Sequence, residues 1–266
     1  MKKAFNLLVS FVLLAGFTAC NKDNPGNQQQ VPDNPSPTPT PSPTADYKGL
    51  RFTSSGESTV KLKQVGLPVD VRLEYSTDGT QWMSYTIGEK IALADNGFVL
   101  FRAGEPSNRV FSRDSENHYQ FVISGSVTAK GNIMSLLDRN FTAQVPEYAF
   151  FALFKECTSL MSAPELPATT LKVGCYCKMF QGCTSLTSAP VLPAKDLVKD
   201  CYLLMFEGCS KLQYVKALFT TEPSEGRTGN WLSGVAASGT FVKSKDATWE
   251  VRGVHGIPEG WKVETE

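Results

Sequence analysis

The chain has 266 residues, with 26 lysines and arginines balanced by 26 aspartates and glutamates, two histidines and seven cysteines. Zero net charge excludes an electrostatic nucleic-acid binder, which needs a basic face to release counterions from phosphates. Apolar residues make up 41% of the chain, enough to build a core from most of it, yet seven of the sixteen prolines crowd into residues 1–46.

Residues 1–20 read as an export signal: a positive start at Met1-Lys2-Lys3, an apolar run from Leu7 to Leu14, and the small-residue ending Gly16-Phe17-Thr18-Ala19-Cys20. The apolar run is too short to span a bilayer. Cys20 directly follows Ala19, an arrangement that resembles a bacterial lipobox, although Phe17 stands where leucine is usual. The resemblance implies lipidation of Cys20. Palmitate-type acyl chains, worth about 0.8 kcal/mol per buried methylene, would then hold the protein in the outer-membrane lipid. Residues 21–46, rich in Pro, Ser and Thr, have almost no large side chain to bury. They read as a disordered stalk of extended polyproline II character, spanning about 3 Å per residue.

Residues 47–130 carry short β-rich runs broken by turn residues. Val71, Leu73 and Tyr75 alternate with Arg72, Glu74 and Ser76, the period of a half-buried strand. Thr77-Asp78-Gly79-Thr80 predicts a hairpin turn, and Asp95-Asn96-Gly97 predicts a second hairpin. The spacing of strands and turns points to an antiparallel β-sandwich. Three aromatics, Trp82, Tyr85 and Tyr119, are candidates for stacking on sugar rings, with an ordinary core role as the alternative.

Residues 131–221 repeat with a period of 26. Phe154, Phe180 and Phe206 fall in register, as do Cys157, Cys183 and Cys209, then Leu160, Leu186 and Leu212, and then Cys175 with Cys201. Pro164 and Pro167 recur as Pro190 and Pro193, whereas the third copy replaces that section with Gln213-Tyr214-Val215-Lys216. Such a period predicts a leucine-rich-repeat solenoid in which each coil buries its apolar residues against the next. The SLTSAP segment is expected as a strand closed by proline, and Cys201 to Phe206 as a returning helix. The whole is an α+β repeat architecture, with Gly131 to Leu137 capping its start. Residues 222–266, with Phe241, Trp249, Val251 and Trp261 set among turns, form a small β-type cap with the tryptophans in its core.

The repeats interpret their own cysteines. Cys175 corresponds to Ala149, and Cys177 to Phe151 and Leu203, positions that accept plain apolar side chains. The Cys157, Cys183 and Cys209 column is expected inside, its thiols acting as small hydrophobes and weak donors to backbone. No metal or cofactor is expected, since His118 and His255 stand apart from any ligand spacing. Export permits disulfides between coils about 5 Å apart, and the pairing stays open. Catalytic motifs are missing as well. Carboxylate pairs such as Glu74 with Asp78 or Glu222 with Glu225 sit in turn-like polar contexts, and Asp114 to His118 reads as a polar loop before a strand. The chain is read as a binding protein rather than an enzyme.

The units LMFEGCS and CTSLTSAPVLPA resemble the BspA-type leucine-rich repeat of cell-surface lipoproteins from gut Bacteroidota, strongly over Val145 to Leu218 and more loosely on both flanks. Asn21-Lys22-Asp23 is similar to the short signals that send lipoproteins of those bacteria to the cell surface. The resemblance implies adhesion to a host extracellular protein or another cell surface through the repeat face and the sandwich loops. The alternative is a surface glycan-binding lipoprotein of a polysaccharide-uptake system. A third reading is a structural component of the surface layer.

Overall fold

Eight strands open the fold because their alternating residues can face inward in two layers. They are β1 (Arg51–Ser54), β2 (Ser58–Val65), β3 (Leu73–Ser76), β4 (Met83–Tyr85), β5 (Lys90–Leu93), β6 (Phe98–Ala103), β7 (His118–Ser124) and β8 (Val127–Lys130). These come from a computed structural model that describes residues 47–266; the expected signal peptide, the lipid site Cys20 and the stalk lie outside the described residues. In β2, Val60 and Leu62 point into the core while Thr59, Lys61 and Lys63 point away. One layer is the antiparallel sheet β5-β2-β7, and the other runs β4-β3-β6-β1-β8 before gaining a ninth strand, β9 (Leu160–Ser162). Between the layers Phe52, Phe101 and Phe121 meet edge to face at centroid distances of 4.9 to 6.0 Å.

The Asp78-Gly79 turn joins β3 to β4 as a hairpin, closed by the Asp78 carboxylate, which accepts from the N–H groups of Thr80 and Gln81 at 2.8 Å. These bonds hold the Asp78 carboxyl down at about 2. Asp95-Asn96-Gly97 does not make a hairpin, contrary to the sequence expectation. β5 pairs with β2 and β6 with β1 and β3, so this turn, with Asn96 at φ 58°, carries the chain from one sheet to the other.

β8 belongs to both halves of the chain. It pairs antiparallel with β1 and parallel with β9, so the core continues without a break from Leu50 to Trp261. Gly131 to Leu137 includes a 3₁₀ turn (Ile133–Leu136) and is bonded to the next coil by Glu165 N–H to the Gly131 carbonyl at 2.8 Å.

From Tyr148, ahead of β9, the backbone coils with a strict alternation. The N–H groups of Tyr148, Phe150, Ala152, Phe154 and Glu156 donate to the carbonyls of Val173, Cys175, Cys177, Met179 and Gln181 one coil ahead. Those of Phe151, Leu153, Lys155 and Cys157 donate three residues back within their own coil. The same two sets recur from Gly174 to Gly182 and again from Asp200 to Gly208. Every second N–H therefore ties a coil to its neighbour, which satisfies backbone polar groups that burial would otherwise penalise.

This alternation overturns the expected helix at Cys201 to Phe206. Every fourth residue is left-handed: Tyr148, Ala152 and Glu156, then Gly174, Lys178 and Gly182, then Asp200, Leu204 and Gly208. A left-handed residue breaks the i to i−4 ladder, so the segment is a run of tight turns. The fold is accordingly β-rich. Its helix content among the described residues is one four-residue α-turn (Glu225–Thr228) and the 3₁₀ turn, so the helical part of the expected α+β class is absent.

Proline decides where the opposite side of each coil becomes a strand. Residues 159–168 and 185–194 both carry the Pro pair, and no backbone hydrogen bond joins them. The second and third coils, with prolines on one side only, share isolated bridges at Ser188–Tyr214 and Leu192–Ala217. Where neither neighbour has proline, a parallel sheet forms from β10 (Tyr214–Ala217), β11 (Thr240–Lys243) and β12 (Lys262–Thr265). A missing N–H on both edges removes the ladder altogether. Trp231, Trp249 and Trp261 close this end inside the core, their indole N–H groups donating to the carbonyls of Gly256, Phe219 and Ala236.

Candidate functional site

The stacked coils bring the repeating residues into columns. Phe180 lies between Phe154 and Phe206, with centroids 5.4 and 5.5 Å away and planes within 3° of parallel. Phe150, Tyr176 and Tyr202 form a second column. Leu160, Leu186 and Leu212 are fully buried in a third. The thiols of Cys157, Cys183 and Cys209 donate to the carbonyls of Phe121, Phe154 and Phe180 at 3.3, 3.0 and 3.0 Å. Cys175, Cys177 and Cys201 are buried as well, and the six cysteines among the described residues are free thiols.

Burial makes these thiols inert. It pushes Cys157, Cys177 and Cys209 up to about 12 and Cys201 up to about 11, and it raises Cys175 and Cys183 further. The thiolate is the reactive form, so burial lowers the reactivity of these thiols as nucleophiles. Among the described residues no three His, Cys, Asp or Glu side chains lie together in a way that could hold a metal ion.

The three candidate stacking aromatics do not form a platform. Tyr85 is buried, its hydroxyl donating to the Glu89 carbonyl and accepting from Leu62 N–H. Tyr119 is buried too, with its hydroxyl on the Val69 carbonyl at 2.6 Å. Both are core residues, because their inward strand positions leave no face open. Trp82 is half-buried: the Arg102 guanidinium lies 3.8 Å from its ring centroid and Tyr47 packs 5.2 Å away. Arg102 is itself fixed by Glu74, which also takes Arg139 at 2.6 Å. Glu74 is thus an ion-pair hub and not a partner of Asp78.

The polar loop before β7 holds no catalytic constellation either. The Asp114 carboxylate accepts from the backbone of Glu116 and Asn117, while His118 is buried against Phe151 with ring centroids 5.0 Å apart. Burial holds the imidazole below its ordinary pKa.

The exposed large apolar side chains of the coils lie on the proline side. Met161, Val191 and Tyr214 are 46, 47 and 38% exposed, among the solvent-facing Glu165, Thr187, Ser188 and Gln213. Each is next to a buried residue, Met161 to Leu160, Val191 to Leu192 and Tyr214 to Val215, so alternation with these neighbours was the available signal for an outward position. The face combines isolated apolar groups with polar ones, Glu165 being charged, and presents one large aromatic ring. Near it, Ala163, Leu166, Pro167, Pro190 and Pro193 line a shallow apolar groove.

No family model, curated protein or solved structure matches this chain.

Proposed function

We propose that residues 131–221 are a BspA-type leucine-rich-repeat solenoid, and that the chain is a surface lipoprotein anchored through Cys20 that adheres to a host extracellular protein or another cell-surface ligand. The observation that carries this reading is the proline-side face, where Met161, Val191 and Tyr214 stand out among Thr187, Ser188 and Gln213. A broad surface of mixed polarity suits a protein partner, whose recognition rests on a few apolar anchors within a polar surround. Sugar stacking calls for open aromatic faces, and Tyr85 and Tyr119 have none. The 26-residue register and the coil-to-coil hydrogen bonds support the solenoid assignment. No helix among the described residues is long and apolar enough to cross a membrane.

The test is a panel of immobilised host matrix proteins run beside a glycan array, with the full chain as probe. Capture by a matrix protein is expected, weakened at least tenfold by Met161→Asp with Val191→Asp and unchanged by Trp82→Ala. Binding to a defined oligosaccharide that Trp82→Ala abolishes would transfer the function to the glycan-binding alternative. For the anchor, Cys20→Ser is expected to release the protein from the membrane fraction; continued fractionation with membrane refutes lipidation.

A further inference from the structure

A second surface lies where the sandwich meets the start of the first coil. Val69, Pro106, Val110 and Pro146 make the apolar walls of a groove whose rim carries Arg109, Arg113, Asp70 and Glu147. Val110 is 42% exposed, and Leu67, two residues before Val69, is 66% exposed, the highest of any large apolar side chain described. Among the described residues the guanidinium groups of Arg109 and Arg113 and the carboxylate of Glu147 take part in no side-chain hydrogen bond or ion pair. Asp70 has one loose partner, Arg72 at 3.5 Å, with both side chains mostly in solvent. Asp114 stands beside Arg113, and its carboxylate already accepts from the backbone of Glu116 and Asn117.

We propose that this groove is the contact between two copies of the chain. The argument is the balance of its charges. A two-fold interface brings one patch against itself, so every group must find its complement within the same patch. Two arginines and two carboxylates around an apolar centre meet that condition: Arg109 and Arg113 of one copy face Asp70 and Glu147 of the other, and Leu67 and Val110 meet across the axis. A partner of one sign, such as an acidic peptide, would place like charges opposite either the carboxylates or the arginines. The exposed apolar side chains supply the area, and the charges set orientation and partner choice. This surface is separate from the adhesive face, and each can fail without the other.

Sedimentation velocity on the full chain in a non-ionic detergent, over loadings of roughly 1–100 µM, tests it. A reversible dimer is expected for the unmodified chain. Arg109→Glu with Arg113→Glu, and separately Asp70→Arg with Glu147→Arg, are each expected to sediment as monomers because like charges then meet across the axis. An equimolar mixture of the two double variants restores the dimer, since each now complements the other. All four positions are exposed, so the fold is kept, and recovery in the mixture is itself the control. The proposal is overturned by an unmodified chain that stays monomeric across this range, by double variants that dimerise as well as it does, or by a mixture that stays monomeric.

Discussion

The thiol of Cys183 donates to the carbonyl oxygen of Phe154 at 3.0 Å, across 29 residues of sequence and one step of the stack. One coil later Cys209 repeats the bond on Phe180 at the same distance. Cysteine is small enough to sit inside the coil and still offers a donor, so a turn carbonyl that already takes the backbone N–H of its own coil's cysteine accepts a second bond from the next coil. The cysteine column is therefore a structural device, and the predictions begin from it.

Thiol-specific reagents should find none of Cys157, Cys175, Cys177, Cys183, Cys201 and Cys209 in the native protein, and all six after unfolding. Each is buried and held protonated. Fast labelling of any one of them under native conditions, counted by mass, contradicts the packing described.

The same thiols set an alkaline limit. In both the folded and unfolded chain they are protonated below their ordinary value of 9.0. As pH rises past that value the unfolded chain releases protons that the native state still holds, because burial has moved Cys157 and Cys209 to about 12. Their contribution to stability is complete below pH 9 and is lost as pH climbs through about 12. Urea midpoints should be flat with respect to these groups up to pH 9 and fall above it. Replacing Cys183 and Cys209 with Ala should lessen the fall.

Phe180→Ala should cost about 3–5 kcal/mol, the usual range for removing a buried ring. Phe180 has no exposed surface and stacks on both Phe154 and Phe206. Phe180→Leu should cost less, since it keeps much of the volume. Denaturant unfolding measures both, and a loss below about 1 kcal/mol for the alanine variant shows that the column is not packed as described.

Glu156→Gly should raise stability by about 0.5–1 kcal/mol. Glu156 is exposed at φ 60°, and the equivalent positions in later coils are Gly182, Gly208 and Gly234, all left-handed. What the variant loses is a surface ion pair with Lys155 at 3.6 Å, worth little in solvent. The reverse change, Gly208→Ala, has room for a Cβ, with Gly182 3.8 Å away, so its cost of about 1 kcal/mol would be purely conformational. Thermal and urea unfolding of the pair separate strain from packing.

Much of this molecule could be read from its residues alone, because a fixed period is a one-dimensional property. The 26-residue register placed Phe154, Phe180 and Phe206 in one column and Cys157, Cys183 and Cys209 in another, and the alternation in Val71 to Ser76 announced β3. Turn chemistry was legible at Asp78-Gly79. It was not legible at Asp95-Asn96-Gly97, since the residues of a reversing turn do not state whether the next strand pairs with the last one or crosses to another sheet.

Tertiary structure decided three things that local preference could not. Cys201 to Phe206 has helix-compatible side chains, yet its alternate N–H groups are drawn to the next coil, and the left-handed residue at every fourth position makes turns of it. Tyr85 and Tyr119 look like ligand platforms in a string of letters, and only the facing sheet shows that both are enclosed. Trp82 keeps a half-open ring, but Arg102, steered there by Glu74, lies over it. Period and composition are carried by the chain itself and so survive in its sequence. Sheet partnership, the handedness that neighbouring coils impose and the covering of one side chain by another depend on residues far apart along it, and they exist only once the coils have closed on one another.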